Sequence, residues 1–260
     1  ALYYGPSTST GDGVIMATAD GINAATGLME YGKRYPNGVE VSKGIAKSTI
    51  AGNITGWTMS AILVNAEGER VVNEKASNRT ILEAELAQTG SELFLLMDSE
   101  TFNVWKTKLA VAGLTEETID GYVAANGTTT PVFAHGDTLE EVAAAAGVNG
   151  ENLVKTVERY NGFVAAGNDE DFGRSADYMT MAIGDGPYYL VEQKPRFATT
   201  MGGLVVNTSL QVENTDGDVI PGLYAAGEVV GGVMGDDSPS GANNGWALTA
   251  GKLAAEAIAE

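Results

Sequence analysis

The chain has 260 residues, with 34 acidic against 15 basic side chains and a formal charge of −19. That charge excludes nucleic acid and anionic membrane surfaces as partners. The absence of cysteine excludes disulfides, thiolate metal sites and iron–sulfur clusters, and a single histidine, His135, makes no His-based metal site. An apolar content of 44% suffices for a core in one large or two ordinary domains. No signal peptide or membrane-inserting span is visible, and the compartment is left open.

Ser9-Thr10-Gly11-Asp12-Gly13 reads as a turn entering a helix rich in Ala and Gly, with Asp12 an ordinary N-cap on one reading. Residues 28–31 read as a strand. Residues 37–60, punctuated by Gly38, Gly44, Gly52 and Gly56, read as an irregular crossing into a second domain. Two short strands, 61–65 and 70–73, flank the turn at 66–69. A helix over 79–88 and a buried strand over 93–97 follow, then two short helices within 99–123. Asp137 through Glu140 reads as a capping box whose helix ends at Gly147. Asn149 caps the next helix, where Leu153, Val157, Tyr160 and Val164 recur at helical spacing.

A strand starts at Pro187-Tyr188-Tyr189-Leu190, and 204–206 with 210–212 make a hairpin. The turn Asp216-Gly217 leads to Leu223-Tyr224-Ala225-Ala226, whose small apolar residues suit a strand buried on both faces. It ends at Gly227-Glu228, where a carboxylate is placed to hold a sugar hydroxyl. A Gly-rich loop from Gly231 to Gly245 lets backbone approach a ligand. A helix from about Asn244 onward carries Leu248, Ala254 and Ile258 on one face. Strand end, carboxylate, glycine loop and helix N-terminus describe a site for a ribityl or nucleotide phosphate group.

GLYAAGEV, preceded by TMGG and followed by the glycine loop and closing helix, resembles the FAD-binding flavoprotein subunits of the fumarate reductase and succinate dehydrogenase family. It is nearest the soluble, flavocytochrome-type fumarate and urocanate reductases, over nearly all the chain. The resemblance implies an α/β (α+β) fold, a partial FAD-binding domain plus an α+β capping domain. Residues 1–38 with 187–260 would form the first and 39–186 the second. It implies FAD contacts from Thr10, Gly11 and Asp12; from Met201, Gly202 and Gly203; from Gly227 and Glu228; and from Gly241, Ala242, Asn243 and Asn244. Gly68, Arg70, Asn73 and Glu74 match the family's GxRxxNE hairpin, and 169–174, DEDFGR, matches its capping domain.

The catalytic positions depart from the family's pattern. The family's proton-donating arginine falls at Asn78, with Arg79 one residue, about 100° of helix, further on; a one-residue bulge would restore it. The relay carboxylate and arginine fall at Ile54 and Trp57, and the substrate-binding histidines at Tyr35 and Thr199. The arginine of the glycine loop falls near Ser238, beside Asp236 and Asp237. A pocket stripped of cations repels a dicarboxylate. The expected substrate is therefore a neutral or cationic enoate-like or aromatic compound rather than fumarate.

No G-x-G-x-x-G follows an N-terminal strand, so half of the usual dinucleotide unit is missing from the pattern. The sequence reads as a truncation or proteolytic fragment of a flavin-dependent reductase, with FAD weakly bound or unbound and little activity alone. Two alternatives stand beside it: a non-catalytic binding module, and a subunit completed by another chain. Expected partners are a small-molecule substrate, an electron-donor protein or domain, and a second copy in a homodimer formed through exposed apolar surface.

Overall fold

The computed structural model of the chain describes residues 1–239 and 241–259. In chain order its elements are β1 (Leu2–Tyr3), α1 (Asp12–Ala17), β2 (Thr26–Gly27), β3 (Gly32–Ser42), β4 (Ile45–Ser48), α2 (Ile50–Gly56), β5 (Ile62–Val64), α3 (Asn78–Leu86), β6 (Leu93–Asp98), α4 (Ser99–Thr107), α5 (Glu116–Ala125), β7 (Phe133–Gly136), α6 (Leu139–Ala146), α7 (Gly150–Ala166), β8 (Tyr188–Thr200), β9 (Gly203–Leu204), β10 (Gln211–Glu213), β11 (Val219–Tyr224) and α8 (Ala242–Ala259). The mixed α/β class is the one expected. The chain divides into two compact units, Ala1–Tyr4 with Arg34–Arg196 and Gly5–Lys33 with Phe197–Glu260. Among the described residues no helix is long and apolar enough to cross a membrane.

The first unit is built on a sheet of order β1-β4-β3-β8-β6-β5, with β7 also paired to β8. The period of two along β6 explains its layering, because successive side chains face opposite ways. Leu93, Leu95 and Met97 pack with α4 residues Phe102 and Trp105. Phe94 and Leu96 face the other way, onto Val142 of α6 and Leu153, Val157 and Tyr160 of α7. Helices on both faces close two cores, and each fully buried large side chain contributes about 1.5–3 kcal/mol. β8 pairs with β6 from Tyr188 to Gln193, which holds that stretch in this unit.

Several local expectations are corrected. Residues 37–60 are ordered as the rest of β3, β4 and α2. Gly52 and Gly56 are there to let α2 lie against its neighbours: a Cβ on Gly52 would come within 2.7 Å of the Trp105 ring. The 28–31 stretch is a turn, with Leu28 at φ +53° and Tyr31 N–H donating to Leu28 O, and the strand begins at Gly32. The capping box lies one residue later, with Thr138 as N-cap and Glu141 reaching back. Residues 70–73 make only a single bridge, Val64 to Arg70.

The second unit is thinner. β10 and β11 form an antiparallel hairpin, β2 pairs antiparallel with β9, and α1 and α8 complete it. β11 ends at Tyr224, and over the stretch expected to be buried on both faces only Ala225 is buried, with Leu223, Tyr224 and Ala226 half-buried. Its small core joins Ala17, Ala24, Leu204, Val212, Ala225 and Val230. α8 turns Trp246, Ala250 and Ala254 inward. The expected inner face fails at Leu248, 79% exposed, and Ile258, 62% exposed. Spacings of four, four and three through 246, 250, 254 and 257 make the true inward stripe.

Candidate functional site

The second unit's site starts from a backbone crossing. Leu204 bridges Val230 in parallel, and Gly231 N–H donates to Leu204 O at 3.1 Å. At this crossing a Cβ on Gly203 would lie 2.6 Å from Gly231 N and closer still to Val229 O. A Cβ on Gly202 would lie 2.6 Å from Met29 Cα. The two glycines of TMGG are thus required by backbone approach. Beyond the crossing, Gly227 takes φ +75° and starts a short 3₁₀ turn through Val229. Its carbonyl accepts from Trp246 Nε1 at 3.1 Å, tying the turn to α8.

Between these pieces lies a cavity of about 320 Å³, lined by Thr199, Thr200, Met201, Gly227, Glu228, Val230, Val233, Met234, Asn243, Asn244, Trp246 and Ala247. Of the residues singled out by sequence it gathers Thr199, Met201, Gly227, Glu228, Asn243 and Asn244. Gly202, Gly203, Gly241 and Ala242 are not among its lining residues. Thr200, Val230, Val233, Met234, Trp246 and Ala247 are lining residues that motif reading missed. The i, i+3, i+4 relation of Trp246 and Ala247 to Asn243 was the available signal.

Thr10, Gly11 and Asp12 sit just outside. Gly11, not Asp12, is the residue preceding α1, at φ +79° and with no side-chain cap bond. Asp12 is the first helical residue and its carboxylate accepts from Thr10 Oγ1 at 2.7 Å, which corrects the N-cap reading. A Cβ on Gly13 would touch Val229 Cγ2 at 3.0 Å, so this helix start abuts the turn that carries Glu228.

Ser238 is buried and unavailable as a free hydroxyl. Lys33 Nζ donates to its carbonyl and lies 3.3 Å from its Oγ, while pairing with Asp237 at 2.9 Å. A cation therefore does stand at this loop, contributed by Lys33 and neutralised by Asp237; the motif reading saw only the acidic residues.

In the first unit, Arg79 projects into solvent, 75% exposed, and pairs with Glu83 at 3.2 Å one turn along α3. Such an exposed pair holds its partners weakly. Tyr35 lies with its ring 4.8 Å from the Arg196 guanidinium. Neither residue belongs to the cavity lining. The GxRxxNE and DEDFGR motifs meet in a buried ion network. Arg70 grips Glu74 at 2.8 Å and Asp169 at 3.1 Å, and Arg174 grips Glu74 at 3.1 Å. Arg174 also donates to Ala61 O at 3.0 Å and Trp57 O at 2.7 Å. Burial opposes ionisation of Asp169, but the Arg70 hydrogen bonds outweigh it and hold its carboxyl below the usual carboxylate range. Burial pushes the Tyr160 phenol, stacked on both arginines, up to about 12.

The residues of the cavity fit part of FAD. About 300–1,000 Å³ is usual for a ligand pocket, and this one lies at the low end, room for a ring-and-ribityl portion. Val230, Met234 and Trp246 offer apolar surface to an aromatic ring, Glu228 an acceptor for a hydroxyl, and the start of α8 its positive end.

The class this defines is a flavin-binding α/β protein. Residues 2–244 match the family described as FAD binding domain, and the chain belongs to it. It is 34% identical over 253 residues to the fumarate reductase (cytochrome) of Shewanella frigidimarina, covering 97% of this chain and 40% of that protein. It is 34% identical to the urocanate reductase of Eggerthella lenta, over 87% of this chain and 35% of that protein. Among solved structures, the open conformation of a flavocytochrome c3 fumarate reductase superposes with a TM-score of 0.70 at 30% identity, over 96% of this chain and 40% of the other. FAD is the cofactor of this oxidoreductase family, and the chain spans about two fifths of its relatives' length.

Proposed function

We propose that the chain is the flavin-cradling and substrate-capping portion of an FAD-dependent reductase acting on an activated C=C bond of a compound other than fumarate. The observation that supports it is the cavity in which Glu228, Trp246 and the first turn of α8 converge, within a chain of the FAD binding domain family. When bound, FAD supplies a hydride to the substrate carbon. Glu228 would hold the ribityl hydroxyls, and Asn243 and Asn244 would orient the ring by donating to its carbonyl oxygens. The hydrophobic wall of Val230, Val233 and Met234 would exclude water from one side of the ring.

The substrate reading rests on charge. Relatives bear the names of fumarate and urocanate reductases. In the second unit Thr199 and Ser238 are uncharged, and the Lys33 cation is matched by Asp237. Such a set leaves both carboxylates of fumarate without a counter-charge, whereas a neutral substrate needs none. Arg79 is the candidate proton donor only if it leaves Glu83. Alone, the 260 residues are expected to bind FAD weakly and to turn over little. Anaerobic turnover of a reduced viologen dye by the full gene product is the test. Rates with a neutral or cationic enoate well above those with fumarate support the reading, and fast fumarate reduction rejects it.

A further inference from the structure

The second unit has two basic residues in its sequence, Lys33 and Lys252. Lys252 is spent at the surface, 75% exposed and 3.6 Å from Glu256 one turn along α8. Lys33, near the start of β3, has a side chain that is only 13% exposed. A cation taken out of water needs partners, because burying it without them is costly. Lys33 finds them on the glycine loop. An ammonium has three hydrogens to donate. Three acceptors of the loop reach it: Asp237 Oδ1 at 2.9 Å, Ser238 Oγ at 3.3 Å, and Ser238 O.

Little in the loop's own sequence would hold it in place. Gly232 and Gly235 take φ of +81° and +68° and bring no side chain to pack. Ordering glycine costs more conformational entropy than ordering any other residue. Among the described residues 231–239, Ser238 alone is buried. The point at which the loop turns inward is thus the point that Lys33 grips. Asp237 shapes that point, since its Oδ1 accepts from Ser238 N–H at 2.7 Å as well as from Lys33. Met201 sets the register of the two partners. Its N–H donates to Tyr31 O at 3.0 Å, two residues before Lys33, and its carbonyl accepts from Gly232 N–H at 3.3 Å, where the loop begins. The loop in turn carries cavity wall. Val233 and Met234 line the cavity ahead of the grip, and α8 with the lining residues Asn243 and Asn244 follows it.

We propose that Lys33 is a positioning residue for the cavity, an ammonium clasp that holds segment 232–239 where Val233 and Met234 close one wall. That the occupant is a flavin rests on the reductase reading above; that Lys33 sets this wall does not. The clasp gives the cation a use other than receiving a substrate carboxylate, since Asp237 already answers its charge.

The test is hydrogen exchange of the whole chain, read on peptides spanning 232–239, together with riboflavin titration, for Lys33→Met and Lys33→Arg. Lys33→Met keeps the stem and removes the charge. Loop exchange should quicken at least about tenfold, the order of a lost charge-assisted hydrogen bond, and riboflavin affinity should fall by a similar factor. Lys33→Arg restores a cation and should recover most of both. Should Lys33→Met not fold, Asp237→Asn serves instead: residue 237 is 62% exposed, the amide keeps the shape, and the charge that Lys33 meets is removed. Loop exchange about threefold faster is then expected, as for a part-exposed ion pair. Loop exchange unchanged in Lys33→Met, or in Asp237→Asn where it stands in, would overturn the proposal. So would equal losses in Lys33→Met and Lys33→Arg, or riboflavin affinity unchanged while the loop loosens. A loop that loosens as predicted in a chain whose every form binds no riboflavin upholds the clasp and rejects the flavin reading instead.

Discussion

The first unit packs two large clusters of apolar residues between helices on both faces of a sheet and satisfies its buried arginines Arg70 and Arg174 with carboxylates. The second unit holds a core of a few residues and leaves Ile15, Met16, Met29, Leu248 and Ile258 more than half exposed. The lesson is a division of labour. The dense unit fixes geometry through packing and ion pairing. The thin unit is shaped by backbone crossings that only glycine allows, and carries the cavity. Stability and ligand binding should therefore respond to different kinds of substitution.

The largest effect should come from the ion network of the dense unit. Arg174→Ala leaves the Glu74 charge buried beside a single remaining arginine, and is expected to cost about 3–5 kcal/mol in urea unfolding. Arg79→Ala, which removes an exposed pair, should change stability by under about 0.5 kcal/mol. Equal costs for the two would dissolve the distinction between network and surface.

Next comes pH. Glu85 is fully buried, neither of its carboxyl oxygens has a partner, and burial, helped by Glu92, pushes its pKa up to about 9. The folded state thus holds this proton more tightly than the unfolded chain does. Its contribution to stability is fully present below the unfolded value near 4.5 and is lost as pH rises toward 9. Between pH 5 and 7 the loss should be on the order of 2 kcal/mol. Glu85→Gln should flatten that slope in Tm measured across the range; a slope unchanged by the substitution would show that the carboxyl finds a partner.

In the thin unit, Gly203→Ala should cost about 1–3 kcal/mol by forcing the Leu204–Val230 crossing apart, and should deform the cavity. Gly11→Ala meets no atom within 4 Å and suffers only its φ of +79°, about 1–2 kcal/mol with the cavity intact. Riboflavin affinity should separate them where stability does not. The smallest change belongs to Leu248→Lys, within about 0.5 kcal/mol in a monomer. Light scattering before and after that substitution tests the proposed homodimer: an oligomer that becomes monomeric supports the use of this face, and a monomer in both rejects it.

Much of the dense unit was legible from periodicity alone. The alternation along β6 and the helical spacing of Leu153, Val157 and Tyr160 each report one face of one element, which is what local pattern encodes. The glycines of α2 were misread as breakers, because only a neighbour in space, Trp105, reveals why they are small. In the second unit the motifs led to Glu228 and Asn243 but not to Lys33. A cation's role depends on which carboxylates reach it, and for Lys33 that partner lies some 200 residues away. Long-range pairing leaves no trace in spacing.

The account turns on the cavity of the thin unit receiving a flavin ring. Riboflavin carries the ring and ribityl chain without the phosphates, so its fluorescence titration against this chain measures that cavity directly. Quenching that saturates in the wild-type chain and vanishes in Ala247→Trp, which fills the cavity from α8, is the predicted result. No quenching, or quenching undiminished by Ala247→Trp, would contradict it.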